Sequence, residues 1–160
     1  MPRGFTWIEV LIVMSVLAAL ALMAVPSITE ATVRRQVKDG LVLADIAKAG
    51  VQAAYTLTGE LPADNKGAGL PDPEKIVSVL VRKVTVKQGA ITIEFGNNAH
   101  KLLEGKHVTL RPAVVPDEPR VPISWLCNNV PVPTNMQARG VNETDVRIDM
   151  LPIECRGPAA

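Results

Sequence analysis

The first apolar stretch of the chain is long and carries almost no charge. Residues 10–25 are all apolar or small, and residues 5–8 extend the run upstream past a single acidic residue, Glu9. A helix over residues 5–25 rises 1.5 Å per residue and would cover about 31 Å, which is close to the hydrocarbon thickness of a bilayer. The pattern therefore predicts a helix long enough to span a membrane.

Composition alone leaves two interpretations of this run open. A cleaved secretory signal would also begin with a basic residue, here Arg3, and residues 19–21 resemble its small-residue cleavage site. Glu9 favours a membrane helix, because a carboxylate at the centre of such a helix costs about 2.5 to 3.5 kcal/mol and usually has a partner. Cleavage between Gly4 and Phe5 would create an ammonium group one helical turn away, and pairing would offset the cost of burying each charge.

Residues 4–13, with the sequence GFTWIEVLIV, resemble the N-terminal signature of type IV pilins and their pseudopilin relatives. Pro26 stands where the family has a proline in the mature chain. The resemblance implies that a membrane-bound prepilin peptidase cleaves after Gly4 and that Phe5 becomes N-methylated. It further implies that Glu9 pairs with the amino terminus of an adjacent subunit during assembly.

After Pro26 the pattern changes from wholly apolar to amphipathic. Proline lacks a backbone N–H and should bend or loosen the helix at this point. Apolar residues then recur at spacings of three and four, which predicts a helix that continues to Thr58; they are Val33, Val37, Leu41, Ala44, Ala47, Val51 and Ala54. A second apolar set lies beside them, and it would either cover the domain's own sheet or contact neighbouring subunits; it comprises Val42, Ile46, Ala53 and Leu57. Gly40 and Gly50 each cost about 1 kcal/mol relative to alanine, so tertiary packing must hold this stretch.

The second half of the chain has the signals of short strands and loops. Proline and glycine predict a connecting loop over residues 60–74, and residues 76–80 are predicted to form a short helix. Alternating or β-branched residues predict strands over residues 83–87, 90–95, 107–111 and 123–126, with a tight turn at Gln88-Gly89. The predicted class is α+β: a long N-terminal helix, with a membrane-spanning half and an amphipathic half, packs on a small antiparallel sheet.

Two cysteines, Cys127 and Cys155, lie near the C-terminus. Two thiols are too few for a four-ligand zinc site, and neither His100 nor His107 has a ligand-like spacing from them, so a disulfide in an exported domain fits better. The stretch between the cysteines has little periodicity and is expected to be a disulfide-bounded loop, which the bond would stabilise by roughly 3 to 4 kcal/mol. In the type IVa pilins that the chain resembles, such a loop lies at the fibre surface.

Length and charge bound the remaining possibilities. The 160 residues suit one globular domain, which we expect at residues 59–160, after a leader (1–4), a transmembrane and fibre-core helix (5–28) and its amphipathic continuation (29–58). The net charge of +1 gives no argument for nucleic acid as an obligate partner.

No phosphate-binding loop, metal-ligand pair or nucleophile signature stands out, so we expect no enzyme activity, cofactor or metal. The tripeptide Asn142-Glu143-Thr144 matches a glycosylation sequon, which is a weak signal in bacteria.

The expected function is therefore a structural one. The resemblance implies a homopolymeric pilus fibre for twitching motility, adhesion or DNA uptake, built by the pilus assembly machinery from subunits stored in the inner membrane. Two alternatives stay open. A minor pilin that acts as a DNA receptor is motivated by the basic group Arg82, Lys83 and Lys87, and a type II secretion pseudopilin would share the N-terminal signature. A surface receptor is a further possible partner of the fibre.

Overall fold

A computed structural model of the chain describes residues 6–157, without the side chains of residues 22–27. One helix, α1 (Trp7–Thr58), precedes the strands of an antiparallel sheet. The strands are β1 (Val81–Lys87), β2 (Ala90–Phe95), β3 (His107–Val114), β4 (Ser124–Cys127) and β5 (Gln137–Ala138). Short 3-10 helices cover Pro73–Lys75, Ile148–Met150 and Ile153–Cys155. The predicted α+β class, with a long N-terminal helix on a small antiparallel sheet, is confirmed.

The chain divides within α1 into two compact units, Met1–Thr32 and Val33–Ala160. In the second unit, one stripe of α1 is buried against the sheet, and its fully buried members are Val33, Val37, Ala44, Ala47 and Val51. The sheet contributes Val84, Val86, Ile91, Ile93, Phe95 and Val108 to the same core. Leu41 and Ala54, which the periodicity also assigned to this stripe, are only half-buried. The hydrophobic core therefore lies between one face of α1 and one face of the sheet.

α1 ends where the sequence predicted. The backbone N–H of Gly59 donates to the carbonyl of Tyr55 at 2.9 Å, and Gly59 has a φ of 74°. Glycine adopts this left-handed conformation without a side-chain clash, which is why it commonly follows the last helical residue. The chain then leaves the helix axis and enters the loop before β1.

The turn predicted at Gln88-Gly89 is also confirmed. Both residues have positive φ, 49° and 78°, and they join β1 to β2 as a two-residue hairpin. This is the arrangement whose twist matches that of paired strands. The sheet order is β1-β2-β3-β4, and every neighbouring pair is antiparallel.

β5 was not predicted, and β3 is longer than expected. Ala113 of β3 pairs with Ser124 of β4 on one side and with Ala138 of β5 on the other. The predicted strand ended at Arg111, but β3 continues through Pro112. The pairing of β2 with β3 stops at Leu110, so no carbonyl of β2 needs the N–H that Pro112 lacks. Its carbonyl accepts a hydrogen bond from the Arg139 backbone at 2.9 Å. A two-residue strand such as β5 is too short to leave a periodic signal.

The short helix predicted over residues 76–80 is wrong. The helical turn lies earlier, at Pro73–Lys75, where proline at the first position favours its start. The hydroxyl of Ser78 then accepts hydrogen bonds from the backbone of Leu80 and Val81, at 3.3 and 3.2 Å. These bonds turn the chain into β1 instead of continuing a helix.

The outer edge of β1 is covered by one side chain of the preceding loop. The buried side chain of Asn65 accepts a hydrogen bond from the Val86 backbone at 2.7 Å and donates one to the carbonyl of Val84 at 3.0 Å. Asn65 thus satisfies backbone groups that an unpaired edge strand would otherwise present to another chain.

Candidate functional site

The start of α1 is closed by a contact between Thr6 and Glu9. The backbone N–H and the hydroxyl of Thr6 both donate to the Glu9 carboxylate, each at 3.3 Å. The carbonyl of Thr6 accepts from the backbone of Glu9 and Val10 at 3.1 and 3.3 Å. The bond from the Thr6 backbone to the Glu9 carboxylate is one half of a capping box, and a carboxylate is also favoured by the helix dipole at this end. Among the described residues Glu9 has no cationic partner.

Three of the predicted N-terminal features depend on parts of the chain that the structure does not describe. Gly4 and Phe5 are outside the described residues, and so is the side chain of Pro26. Cleavage after Gly4, methylation of Phe5 and the bend at Pro26 therefore stay predictions.

The first part of α1 exposes apolar side chains on all of its faces. Every residue from Trp7 to Ala21 is exposed, with Trp7 at 77% and Leu17 at 55%. The one hydroxyl within this run, on Ser15, donates to the carbonyl of Ile12 at 2.8 Å, so the helix itself satisfies it. In the part of the chain whose side chains are described, no helix reaches the length and apolarity of a membrane span. An apolar surface this large normally marks a contact with a partner or with lipid.

The second half of α1 carries a further apolar stripe that the sheet leaves uncovered. Val42, Ile46 and Leu57 are 65%, 56% and 85% exposed. At 100° per residue these positions lie opposite the buried stripe, so the helix is apolar on two opposite faces. The sequence left open whether this second stripe covers the domain's own sheet or contacts neighbouring subunits. Within one chain the stripe is exposed and does not cover the sheet.

The C-terminal disulfide is present, as the sequence predicted. Cys127, at the end of β4, is bonded to Cys155, with 4.7 Å between their Cα atoms. The side chain of Asn128 donates to the carbonyl of Cys155 at 3.2 Å beside the bond. The bounded segment is more ordered than the absence of periodicity suggested, because Met150 and Leu151 enter the core.

Residues 142–145 of this segment are hydrogen-bonded to residues of the sheet. The backbone of Thr109 donates to the hydroxyl of Thr144 at 2.9 Å, and that of His107 donates to the carboxylate of Asp145 at 2.6 Å. The carboxylate of Glu143 accepts from Lys87 at 3.0 Å and from the hydroxyl of Thr92 at 3.3 Å. These contacts tie the disulfide-bounded segment to β1, β2 and β3.

The basic group that motivated a DNA-binding alternative is paired with carboxylates. Lys83 contacts Glu94 at 3.0 Å and Arg82 contacts it at 3.5 Å, while Lys87 contacts Glu143. Burial alone would raise the pKa of Glu94, but the hydrogen bond and charge of Lys83, with the charges of His107 and Arg82, outweigh it and lower the pKa. The hydrogen bond from Lys87 is the main cause that lowers the pKa of Glu143. Both carboxylates therefore stay ionised at neutral pH, and this cluster is not a free basic patch.

The sequon and several packing residues have structural roles that the sequence did not reveal. The amide of Asn142 donates to the side chains of Asn128 and Asn129, at 3.0 and 3.1 Å. On α1, Gln36 accepts from the backbone of His100 and Gln52 accepts from that of Ile123, both at 2.8 Å. These partners are distant in sequence, and no local pattern indicates them.

Comparison with known proteins supports a single family along the whole chain. A family model described as the prokaryotic N-terminal methylation motif matches residues 2–25, and one described as pilin, a bacterial filament, matches residues 33–156. The chain is 31% identical over 163 residues to a type IV major pilin protein PilE of Neisseria gonorrhoeae, covering 98% of this chain and 95% of that protein. It is 30% identical over 172 residues to a fimbrial protein of Neisseria meningitidis serogroup A, covering 100% and 97%. With a fimbrial protein of Neisseria meningitidis serogroup B, identity is 33% over 111 residues, which span 69% of this chain and 65% of that relative.

Proposed function

This chain belongs to the type IV pilin family of pilus subunits, and we propose that it leaves the inner membrane and polymerises through α1 into a surface fibre. The observation that carries the proposal is the exposed apolar surface of α1. Trp7 to Ala21 are exposed on all faces, and in the second unit Val42, Ile46 and Leu57 form an exposed apolar stripe on one face of α1. Lipid can cover the first part before assembly, and helices of neighbouring subunits can cover both parts in a fibre.

Cleavage of the leader would create the ammonium group that takes part in assembly. Arg3 favours a cytoplasmic location for the leader, where the prepilin peptidase would cleave after Gly4 and N-methylate Phe5. The new ammonium group at Phe5 then precedes Glu9 by four residues, or about 6 Å along the helix axis. A neighbouring helix shifted by about one turn would bring its own ammonium level with the Glu9 carboxylate.

This pairing explains why the helix would leave lipid for a bundle of its own kind. A lone carboxylate in hydrocarbon costs about 2.5 to 3.5 kcal/mol, and an adjacent ammonium offsets that cost. Among the described residues the Glu9 carboxylate accepts only from Thr6, so it can still accept from a cation of the next subunit. Glu9 is therefore the assembly residue, and the bend at Pro26 would let the two parts of α1 pack separately.

The proposed role of the fibre rests on membership of the type IV pilin family. Twitching motility, adhesion and DNA uptake are the candidate roles, and a deletion strain can be scored for all three separately. A minor pilin that binds DNA is less well supported, because Lys83 and Lys87 are already paired with carboxylates. A type II secretion pseudopilin is opposed by the disulfide-bounded segment, which is more characteristic of pilins.

The test is fibre formation in a strain that lacks this gene. Re-expression of the wild-type chain should restore fibres in electron micrographs, whereas Glu9→Ala should accumulate in the membrane without fibres. Glu118→Gln, which removes an exposed carboxylate outside α1, is the matched control and should restore fibres fully. Fibres that persist unchanged in the deletion strain, or that form equally well from Glu9→Ala, would reject the proposal.

A further inference from the structure

A cavity of about 530 Å³ opens where α1 ends, and we propose that it binds a neutral, hydroxyl-rich ligand of the size of a monosaccharide. Its walls come from the end of α1, the turn between β1 and β2, the residues after β3, and Arg139 and Gly140 after β5. This volume lies within the range of small-molecule sites, about 300 to 1,000 Å³. The proposal does not depend on fibre assembly, because all of these walls belong to the unit Val33–Ala160.

Tyr55 is the first indication that the cavity holds a ligand. Its side chain lines the cavity and only 5% of the residue is exposed, yet among the described residues its hydroxyl has no hydrogen-bond partner. Buried polar groups nearly always have one. The hydroxyl is not fully enclosed, so it is accessible to a ligand in the cavity that Tyr55 lines. It can both donate to and accept from a ligand hydroxyl.

The remaining walls combine an apolar part with a polar rim. Leu61, Val114 and Pro116 supply apolar surface, against which the C–H groups of a sugar ring can pack. Glu60 and Asp117 on the rim can only accept hydrogen bonds.

Arg139 adds the opposite charge to the rim. Its guanidinium donates to the side chain of Gln137 at 2.9 Å and has no carboxylate partner among the described residues, so most of its donors are available. Gln88, also on the rim, can donate and accept.

The mixture of charges selects a neutral ligand. An anion attracted by Arg139 would also meet the repulsion of Glu60 and Asp117, and a cation attracted by these carboxylates would meet the repulsion of Arg139. A neutral polyol offers hydroxyl protons to the two carboxylates and hydroxyl oxygens to the guanidinium, so every rim group finds a complementary partner. Sugars that carry a carboxylate or an ammonium group should bind more weakly.

The experiment uses the full chain in dodecylphosphocholine micelles, whose headgroup contains no sugar. Saturation-transfer NMR would be recorded with the methyl glycosides of galactose and glucose, with the free hexoses, and with glucuronate and glucosamine as charged probes. Tyr55 is the only tyrosine of the chain, so its ring signals report directly on the cavity. We expect millimolar binding of the neutral probes that shifts these signals. Preference for the methyl glycosides would identify the end of a glycan chain, and preference for the free hexoses a free sugar.

Variants separate binding from folding. Tyr55→Phe should weaken binding about fivefold, the effect of one neutral hydrogen bond, and should leave the thermal unfolding midpoint unchanged because the hydroxyl makes no internal bond. Arg139→Ala should weaken binding about tenfold, and the exposed Arg120→Ala, outside the cavity, should not change it. The proposal is overturned if no neutral probe binds at tens of millimolar, if only a charged probe binds, or if Tyr55→Phe and Arg139→Ala bind as the wild type does.

Discussion

At the scale of single residues, two glycines in α1 show packing outweighing helix propensity. A Cβ on Gly40 would lie 2.9 Å from Cζ of Phe95, and one on Gly50 would lie 2.6 Å from the carbonyl oxygen of Ala68. The sequence predicted only that tertiary packing must compensate for these glycines. The structure identifies the compensation, because the missing side chains let the sheet and the loop before β1 approach the helix closely.

The first prediction is that Gly40→Ala destabilises the domain. Alanine would gain about 1 kcal/mol of helix propensity, but overpacking against the fully buried ring of Phe95 costs about 1 to 3 kcal/mol. We therefore expect a lower free energy of unfolding, measured by denaturant titration. Asp39→Ala, at the exposed neighbouring position, is the control and should be neutral or stabilising. A more stable Gly40→Ala variant would contradict the packing.

The second prediction concerns acid. The pKa of Glu94 is lowered in the folded state, so its ion pairs stabilise the fold above the ordinary value of 4.5, and this contribution is lost as the pH falls through the folded-state pKa below it. Glu94→Gln should lower the free energy of unfolding by about 1 kcal/mol at neutral pH. The difference from wild type should shrink when unfolding is repeated below pH 4.5. A difference that stays constant or grows in acid would contradict this assignment, and Glu118→Gln, with no ion pair among the described residues, provides the baseline.

At the scale of elements, the sequence was sufficient to predict the elements that have strong local signals. It was not sufficient to predict those that depend on contacts between distant residues. The end of α1, the bounds of β2 and the turn after β1 follow from periodicity, β-branched residues and glycine. The short helix was misplaced because the hydroxyl of Ser78 bonds the backbone of the next residues, which periodicity does not reveal. β5 was missed because it depends on contacts between β3 and residues far along the chain, such as that of Arg139 with Pro112. The disulfide could be predicted because only one pair of cysteines exists. The cavity could not, since Tyr55 and Arg139 meet only through the fold.

The third prediction belongs to the exposed stripe of α1. Replacing Val42 and Ile46 by glutamine keeps helix propensity and removes apolar surface that the sheet does not cover. Thermal unfolding should therefore be unchanged, while the yield of sheared fibres should fall at least tenfold. Val79→Gln alters a comparably exposed valine outside α1 and should assemble normally. Normal fibre yield from the double variant would show that the stripe is not a subunit contact.

At the scale of the whole molecule, the proposed function requires the same chain to serve in two environments. Its second unit is a disulfide-closed domain whose C-terminal segment is tied to the sheet by Glu143, Thr144 and Asp145. Its first unit is an apolar helix with one carboxylate near its start. The domain is stable within one chain, whereas the helix has apolar surface that only lipid or other subunits can cover. Assembly through α1 accounts for both.

The measurement that tests this account most directly is the intact mass of the subunit in fibres sheared from cells. We expect a mass equal to residues 5–160 plus one methyl group and less two hydrogens for the disulfide. Fibres that lack this chain, or that contain it with residues 1–4 still attached, would contradict the central claim.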